Sequence, residues 1–160
     1  MAFSGVVATS INFTKESNIR SIGEEAFKNL ELGIGLSVFH LPPLLNYLGR
    51  AAFEAADIAT DMMCKGSLID LAVDTFKEAI FGNLIQGTIE LRTGIIKIST
   101  GSFLGTNCIL IIPNTCKEIE AKSLGSSGKP VYIKYLGTRA EWNNIKIGAN
   151  NYYTVDCIGG

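Results

Sequence analysis

Apolar residues recur every three or four positions through the first half of the chain and every two positions through the second. Ile22, Ala26, Phe27, Leu30 and Ile34 follow the 3.6-residue period, which predicts an amphipathic helix. Ser21-Ile22-Gly23-Glu24 opens it in the form of a capping box, in which a hydroxyl and a carboxylate each accept from an orphan backbone N–H. Pro42 and Pro43 stop it, because neither can donate and each pushes its predecessor toward extended geometry. Between Leu44 and Lys65 the charges fall at Arg50, Glu54, Asp57, Asp61 and Lys65. They form one polar stripe opposite Leu44, Leu48, Ala52, Ala55, Ala59 and Met62, which predicts a second helix. Ser67-Leu68-Ile69-Asp70 opens a third, with Leu68, Leu71, Ala72, Thr75, Phe76, Ala79 and Ile80 on its inner face and Gly82 as its stop.

Past Gly82 the period shortens to two. Thr88–Arg92, Ile95–Ser99, Cys116–Ser123, Val131–Leu136, Ile145–Ile147 and Tyr152–Ile158 read as strands. Cys108–Ile112 is a continuous apolar run, the pattern of a strand buried on both faces. The punctuation between them predicts a small antiparallel sandwich or barrel. The expected fold is therefore α+β: about three N-terminal helices forming an anchoring and oligomerisation region over residues 1–82, then a β-sandwich-like domain over 83–160. No internal repeat is evident between or within the halves.

Composition adds a prediction of association. Of the 160 residues 47% are apolar and only 18% charged, so a monomer would expose apolar patches, and such patches mark contact sites. Residues 1–80 hold ten acids and six bases, residues 81–160 five acids and eight bases. The bases are scattered, without the clustering that a nucleic-acid footprint requires. The N-terminal residues lack a basic n-region, which predicts a chain not secreted by a signal peptide. Cys64, Cys108, Cys116 and Cys157 are then expected to be reduced, and their spacing contains no zinc motif.

Candidate chemistry is sparse. His40, the single histidine, has no nucleophile-elbow motif to serve. Gly125-Ser126-Ser127-Gly128-Lys129-Pro130 has the outline of a phosphate loop. Ser123 stands where its first glycine belongs, however, and Pro130 where its hydroxyl residue belongs, so a hairpin loop is expected. Glu118 and Glu120 share one face of a strand, and Glu54, Asp57 and Asp61 one face of the second helix; both sets read as solvated faces. No catalytic residue, cofactor or metal site is predicted.

Residues 112–158 carry a resemblance. Pro113, Cys116, Ile119, Gly128, Val131, Tyr132, Ile133, Gly148 and Tyr153 resemble the strand and turn pattern of small β-sandwich modules in structural proteins of tailed bacteriophages. The resemblance implies a non-enzymatic virion subunit (capsid decoration, head fibre, neck or tail), assembled in the host cytoplasm and partnered by itself and other virion proteins. The charge-free stretch from Leu32 to Gly49 is then a helix–turn–helix elbow at a subunit contact, with Leu36, Phe39, His40, Leu41, Leu44, Leu45 and Leu48 as the interface. Two alternatives stand beside this reading. One is a membrane-active pore-forming or holin-like protein inserting residues 32–63, made less favourable by the prolines that cut the apolar run below the ~20 residues a span needs. The other is a small intracellular enzyme or ligand-binding domain.

Overall fold

The computed structural model describes residues 2–33, 38–64, 70–81, 87–91 and 94–160. The chain winds as a parallel β-solenoid. An incomplete first coil contributes β1 (Val7–Ala8). Three coils of three strands follow: β2 (Ser21–Ile22), β3 (Glu31–Leu32) and β4 (Val38–His40); β5 (Tyr47–Leu48), β6 (Asp57–Ile58) and β7 (Asp61–Cys64); β8 (Asp70–Leu71), β9 (Ile80–Phe81) and β10 (Thr88–Leu91). Two more carry β11 (Lys97–Ile98), β12 (Phe103–Leu104) and β13 (Ile109–Ile112), then β14 (Glu118–Ile119), β15 (Leu124–Gly125) and β16 (Val131–Tyr135). The last holds a short helix, α1 (Arg139–Asn143), then β17 (Lys146–Ile147) and β18 (Tyr153–Cys157). Corresponding strands stack in parallel into two six-stranded sheets, β2-β5-β8-β11-β14-β17 and β4-β7-β10-β13-β16-β18, with β1-β3-β6-β9 and the pair β12-β15 along the remaining side.

Register places like residues above like. Ile22, Leu48, Leu71, Ile98, Ile119 and Ile147 form one inward column. Phe39, Met62, Ile89, Leu110, Ile133 and Val155 form another. Five residues after Ile22, Leu48, Leu71 and Ile98 of the first column come the rings of an aromatic ladder. Phe3, Phe27, Phe53, Phe76 and Phe103 stack at centroid separations of 5.1–5.4 Å and interplanar angles of 8–16°, and Leu124 follows in register beneath Phe103. Offset stacking adds about 0.5–1.5 kcal/mol per pair to the burial of each ring.

The residue before each ring is small: Ala26, Ala52, Thr75, Ser102 and, before Leu124, Ser123. The hydroxyls of the last three are buried and donate to the carbonyl three residues back, Ala72, Ser99 and Glu120 respectively. The residues two before and two after a ring hold positive φ, as at Glu25 and Asn29, Ala51 and Ala55, Asp74 and Glu78, and Gly101 and Gly105.

Residues 21–33, 44–64 and 70–81 are therefore not helices, and the three-helix expectation fails over the described residues of 1–82. Ala26, Lys28 and Leu30 do donate to the carbonyls three residues back, but Glu25, Phe27 and Asn29 donate across to Arg50, Ala52 and Glu54 of the next coil. Alternate peptide groups thus bond within a turn and between turns, and the left-handed residues that permit this forbid a continuing helix. The apolar spacing mimics a helix because strand, turn and strand each send one or two side chains to the same core. The polar stripe is likewise redistributed: Asp57 lies on β6 and Asp61 on β7. Ile34, Lys65, Ser67–Ile69 and Gly82 lie outside the described residues.

The antiparallel sandwich expected over 83–160 fails as well. Its strands are present close to their expected positions, but every named strand pairs in parallel with a strand of a neighbouring coil. Strand β10 pairs with β7, so one sheet runs through both halves of the chain. α1 falls where no helix was expected. It is opened by Thr138, whose hydroxyl accepts from Glu141 N–H while Glu141 accepts from Thr138 N–H. It sets Trp142 edge-on against Tyr135 and Tyr153, at 5.2 and 5.6 Å.

Candidate functional site

The longest strands in the solenoid, β7, β10, β13, β16 and β18, all belong to one sheet, and they present two outward columns in register. Val38, Asp61, Thr88, Ile109, Tyr132 and Thr154 make the first; His40, Met63, Glu90, Ile111, Lys134 and Asp156 make the second. At a strand spacing of about 4.8 Å the six strands span about 24 Å. Met63 on β7, Ile109 and Ile111 on β13 and Tyr132 on β16 put half-buried apolar surface on this face, interleaved with half-buried Glu90 and Lys134, while His40, Asp61, Thr154 and Asp156 are exposed. The run Cys108–Ile112 is therefore buried on one side only: Leu110 and Ile112 point into the core, and Ile109 and Ile111 point out.

The residues expected at an elbow interface divide between inside and outside. Phe39, Leu41, Leu45 and Leu48 lie in the chain's own core, His40 and Leu44 face out, and Leu36 lies outside the described residues. His40 heads the second outward column. The groove beside it, about 310 Å³, is lined by Phe13, Thr14, Lys15, Leu41 and Pro43 and offers no carboxylate or thiol.

The other candidate groups are engaged in the fold. Glu118 pairs with Lys146 at 2.9 Å and Glu120 with Lys97 at 3.6 Å. The backbone N–H of Thr100 donates to Glu120, with its hydroxyl adding a second bond, and these hold the carboxyl below its ordinary range. Ser126 and Lys129 exchange backbone hydrogen bonds of 3.0 and 2.9 Å, which makes residues 126–129 the hairpin turn that the sequence suggests. None of the four cysteines is in a disulfide, and only Cys157 is partly exposed. Burial pushes the Cys116 thiol up to about 11 and raises that of Cys108 further, so neither supplies a thiolate near neutral pH. Among the described residues no three His, Cys, Asp or Glu side chains gather as metal ligands, and no helix is long and apolar enough to cross a membrane.

Stacked coils of 21–28 residues, an aromatic ladder and a broad outward sheet face define a parallel solenoid of repeats. A family profile for the BspA-type leucine-rich repeat region, in six copies, matches residues 1–131, and the chain belongs to that family. Comparisons with curated proteins and with solved structures each find no match. Membership overturns the phage reading: no β-sandwich exists for residues 112–158 to resemble, and the generic Pro, Gly and Val-Tyr-Ile punctuation belongs to solenoid corners and strands. The virion-subunit function falls with it. Leucine-rich repeats generally act as non-enzymatic scaffolds for protein–protein interaction.

The repeat was written in the sequence as Ile or Leu, four residues, then an aromatic preceded by a small residue. Its intervals of 21 to 27 residues vary, so a search for a fixed period misses it.

Proposed function

We propose that the chain is a protein-interaction module whose partner docks on the outward face of the six-stranded sheet that contains β13 and β16. The observation that carries this is the grouping of Ile109 and Ile111 on β13 with Tyr132 on β16 and Met63 on β7, interleaved with half-buried Glu90 and Lys134, on a face whose edge strands carry exposed His40, Thr154 and Asp156. Interfaces combine apolar contacts that exclude water with a polar rim. A repeat solenoid suits the task because its curvature and extended surface come from stacking, while its core needs none of the outward residues.

A photo-crosslinking residue at Tyr132 is expected to give discrete protein adducts, and the same residue at the exposed Tyr47, on the other six-stranded sheet, is expected to give none. Ile111→Lys should reduce capture by at least about tenfold, the effect of losing a central anchor, while leaving the circular dichroism and melting temperature near those of the parent. Equal labelling from both positions, or undiminished capture by Ile111→Lys, would overturn the assignment.

A further inference from the structure

A second outward face, on the side formed by β1, β3, β6 and β9, has a different chemistry. Its column reads Val7, Glu31, Asp57, Ile80, each residue in register with the next. Both apolar ends stand in solvent, Val7 73% and Ile80 48% exposed, and Glu31 and Asp57 are exposed between them. Together with Gly33 and Ala59, which lack bulk, they line a groove of about 300 Å³.

Two carboxylates at adjacent register positions sit about 4.8 Å apart at the backbone, and like charges directly opposite one another destabilise a sheet. Other acids of the solenoid avoid this. Glu24 and Glu25 have Arg50, Glu54 has Lys28 and Lys77, Glu118 has Lys146 and Glu120 has Lys97. Among the described residues neither Glu31 nor Asp57 has such a cation.

We infer that this face binds an extended, basic polypeptide segment in which a Lys or Arg is flanked, two residues away on each side, by apolar residues. The spacing follows from the geometry. Val7 to Ile80 is three strand spacings, about 14 Å, with the midpoint of the two carboxylates about 7 Å from either end. A segment lying across the strands presents a side chain to the face every second residue, about 6.6 Å. Its first apolar side chain covers Val7, the cation bridges Glu31 and Asp57, and the second apolar side chain covers Ile80. Arginine fits the centre best, because its planar fork can donate to two carboxylates at once. Beyond Ile80 the same side opens into a wider groove of about 850 Å³ past Glu78, Leu104 and Asn107, which leaves room for the segment to continue. This surface is separate from the face proposed above, and its test leaves that face unaltered.

The probe is a fluorescein-labelled peptide containing Leu-Ser-Arg-Ser-Leu, titrated with the full chain and followed by anisotropy. Saturable binding is expected. It should weaken at least about tenfold when citrulline replaces the arginine, when Glu31→Gln and Asp57→Asn are combined, and when Ile80→Ser is made. It should also weaken with added salt, as charge-steered contacts do. The Glu31→Gln/Asp57→Asn variant should melt no lower than the parent, because it removes a repulsion; that separates loss of binding from loss of fold. No saturable binding up to millimolar protein, equal affinity for the citrulline peptide, or binding unchanged in the double variant would each overturn the inference. So would a rise in melting temperature with calcium chloride that the double variant abolishes, since the pair would then be a cation site instead.

Discussion

Asn151 ties two coils together with one side chain. Its Oδ1 accepts from the backbone N–H groups of Ser123 and Leu124 at 2.8 and 2.9 Å, and its Nδ2 donates to the carbonyls of Glu120 and Gly148, both at 2.9 Å. It occupies the position taken by a small residue in the coils above, so in the last coil an amide takes over a place that a hydroxyl or methyl fills elsewhere. Asn151→Ala removes a hydrogen bond from each of four peptide groups, of which the Glu120 carbonyl keeps the Ser123 hydroxyl, and is expected to cost about 2–3 kcal/mol, measured by urea unfolding. Asn151→Asp keeps the acceptor but not the donor and should fall between. Tyr135 shows the opposite case: its hydroxyl is buried with no hydrogen-bond partner, and both burial and the nearby Glu141 raise its pKa. Tyr135→Phe should therefore leave stability unchanged or raise it by about 1 kcal/mol.

At the scale of the element, the aromatic ladder is what joins one coil to the next. Phe76 is fully buried, stacked between Phe53 at 5.4 Å and Phe103 at 5.2 Å, and set edge-on to Phe81 at 6.2 Å. Phe76→Ala should cost about 3–5 kcal/mol, a transfer loss plus a cavity that the neighbouring rings cannot close. Phe3, stacked on one side only and 50% exposed, should cost about 1 kcal/mol when changed to Ala, in proportion to the area it buries. Equal losses at the two positions, measured by denaturant midpoints at constant slope, would show that the ladder is not the element that carries inter-coil stability. The turn on which each ring sits explains why helix and solenoid look alike from the sequence: Gly23-to-Leu30 supplies helical spacing of apolar residues while half its peptide groups bond outward.

For the whole molecule, acid is the condition that loosens the stack. Glu120 is held below the ordinary carboxyl range by the Thr100 backbone N–H, and Glu141 by the Thr138 backbone N–H. A carboxyl so depressed contributes stability above its unfolded value of about 4.3, and the contribution disappears as pH falls through the folded value. The urea midpoint should accordingly be flat between pH 6 and 7 and decline below about pH 4.5. Glu120→Gln should remove part of that decline. A midpoint independent of pH down to 3 would show that these bonds contribute nothing. Because each coil touches chiefly its neighbours, the molecule behaves as a one-dimensional array, and a loss at one coil is felt by the two beside it.

The sequence by itself determined where most of the later strands lie and some of the inward positions, among them Ile22, Phe27, Leu30, Leu48 and Phe76, whereas Leu44, Ala55 and Ile80 of the expected inner faces stand exposed. The inward residues of β10 and β16 were legible because a strand alternates with period two whatever its partner, whereas the unbroken apolar run of β13 hid which of its residues face out. The sequence also determined the hairpin at Ser126–Lys129 and the absence of a phosphate loop. Only the tertiary structure decided that the strands pair in parallel with residues 21 to 28 positions away, because the pairing partner of a two-residue strand leaves no local trace. It alone turned Glu25, Ala51 and Asp74 into left-handed corners, since each is stabilised by the coil against which it stacks. It alone brought Ile109, Ile111 and Tyr132 onto one outward face, and Glu31 beside Asp57 on another, because those neighbours are set by the register of coils and by nothing within either segment.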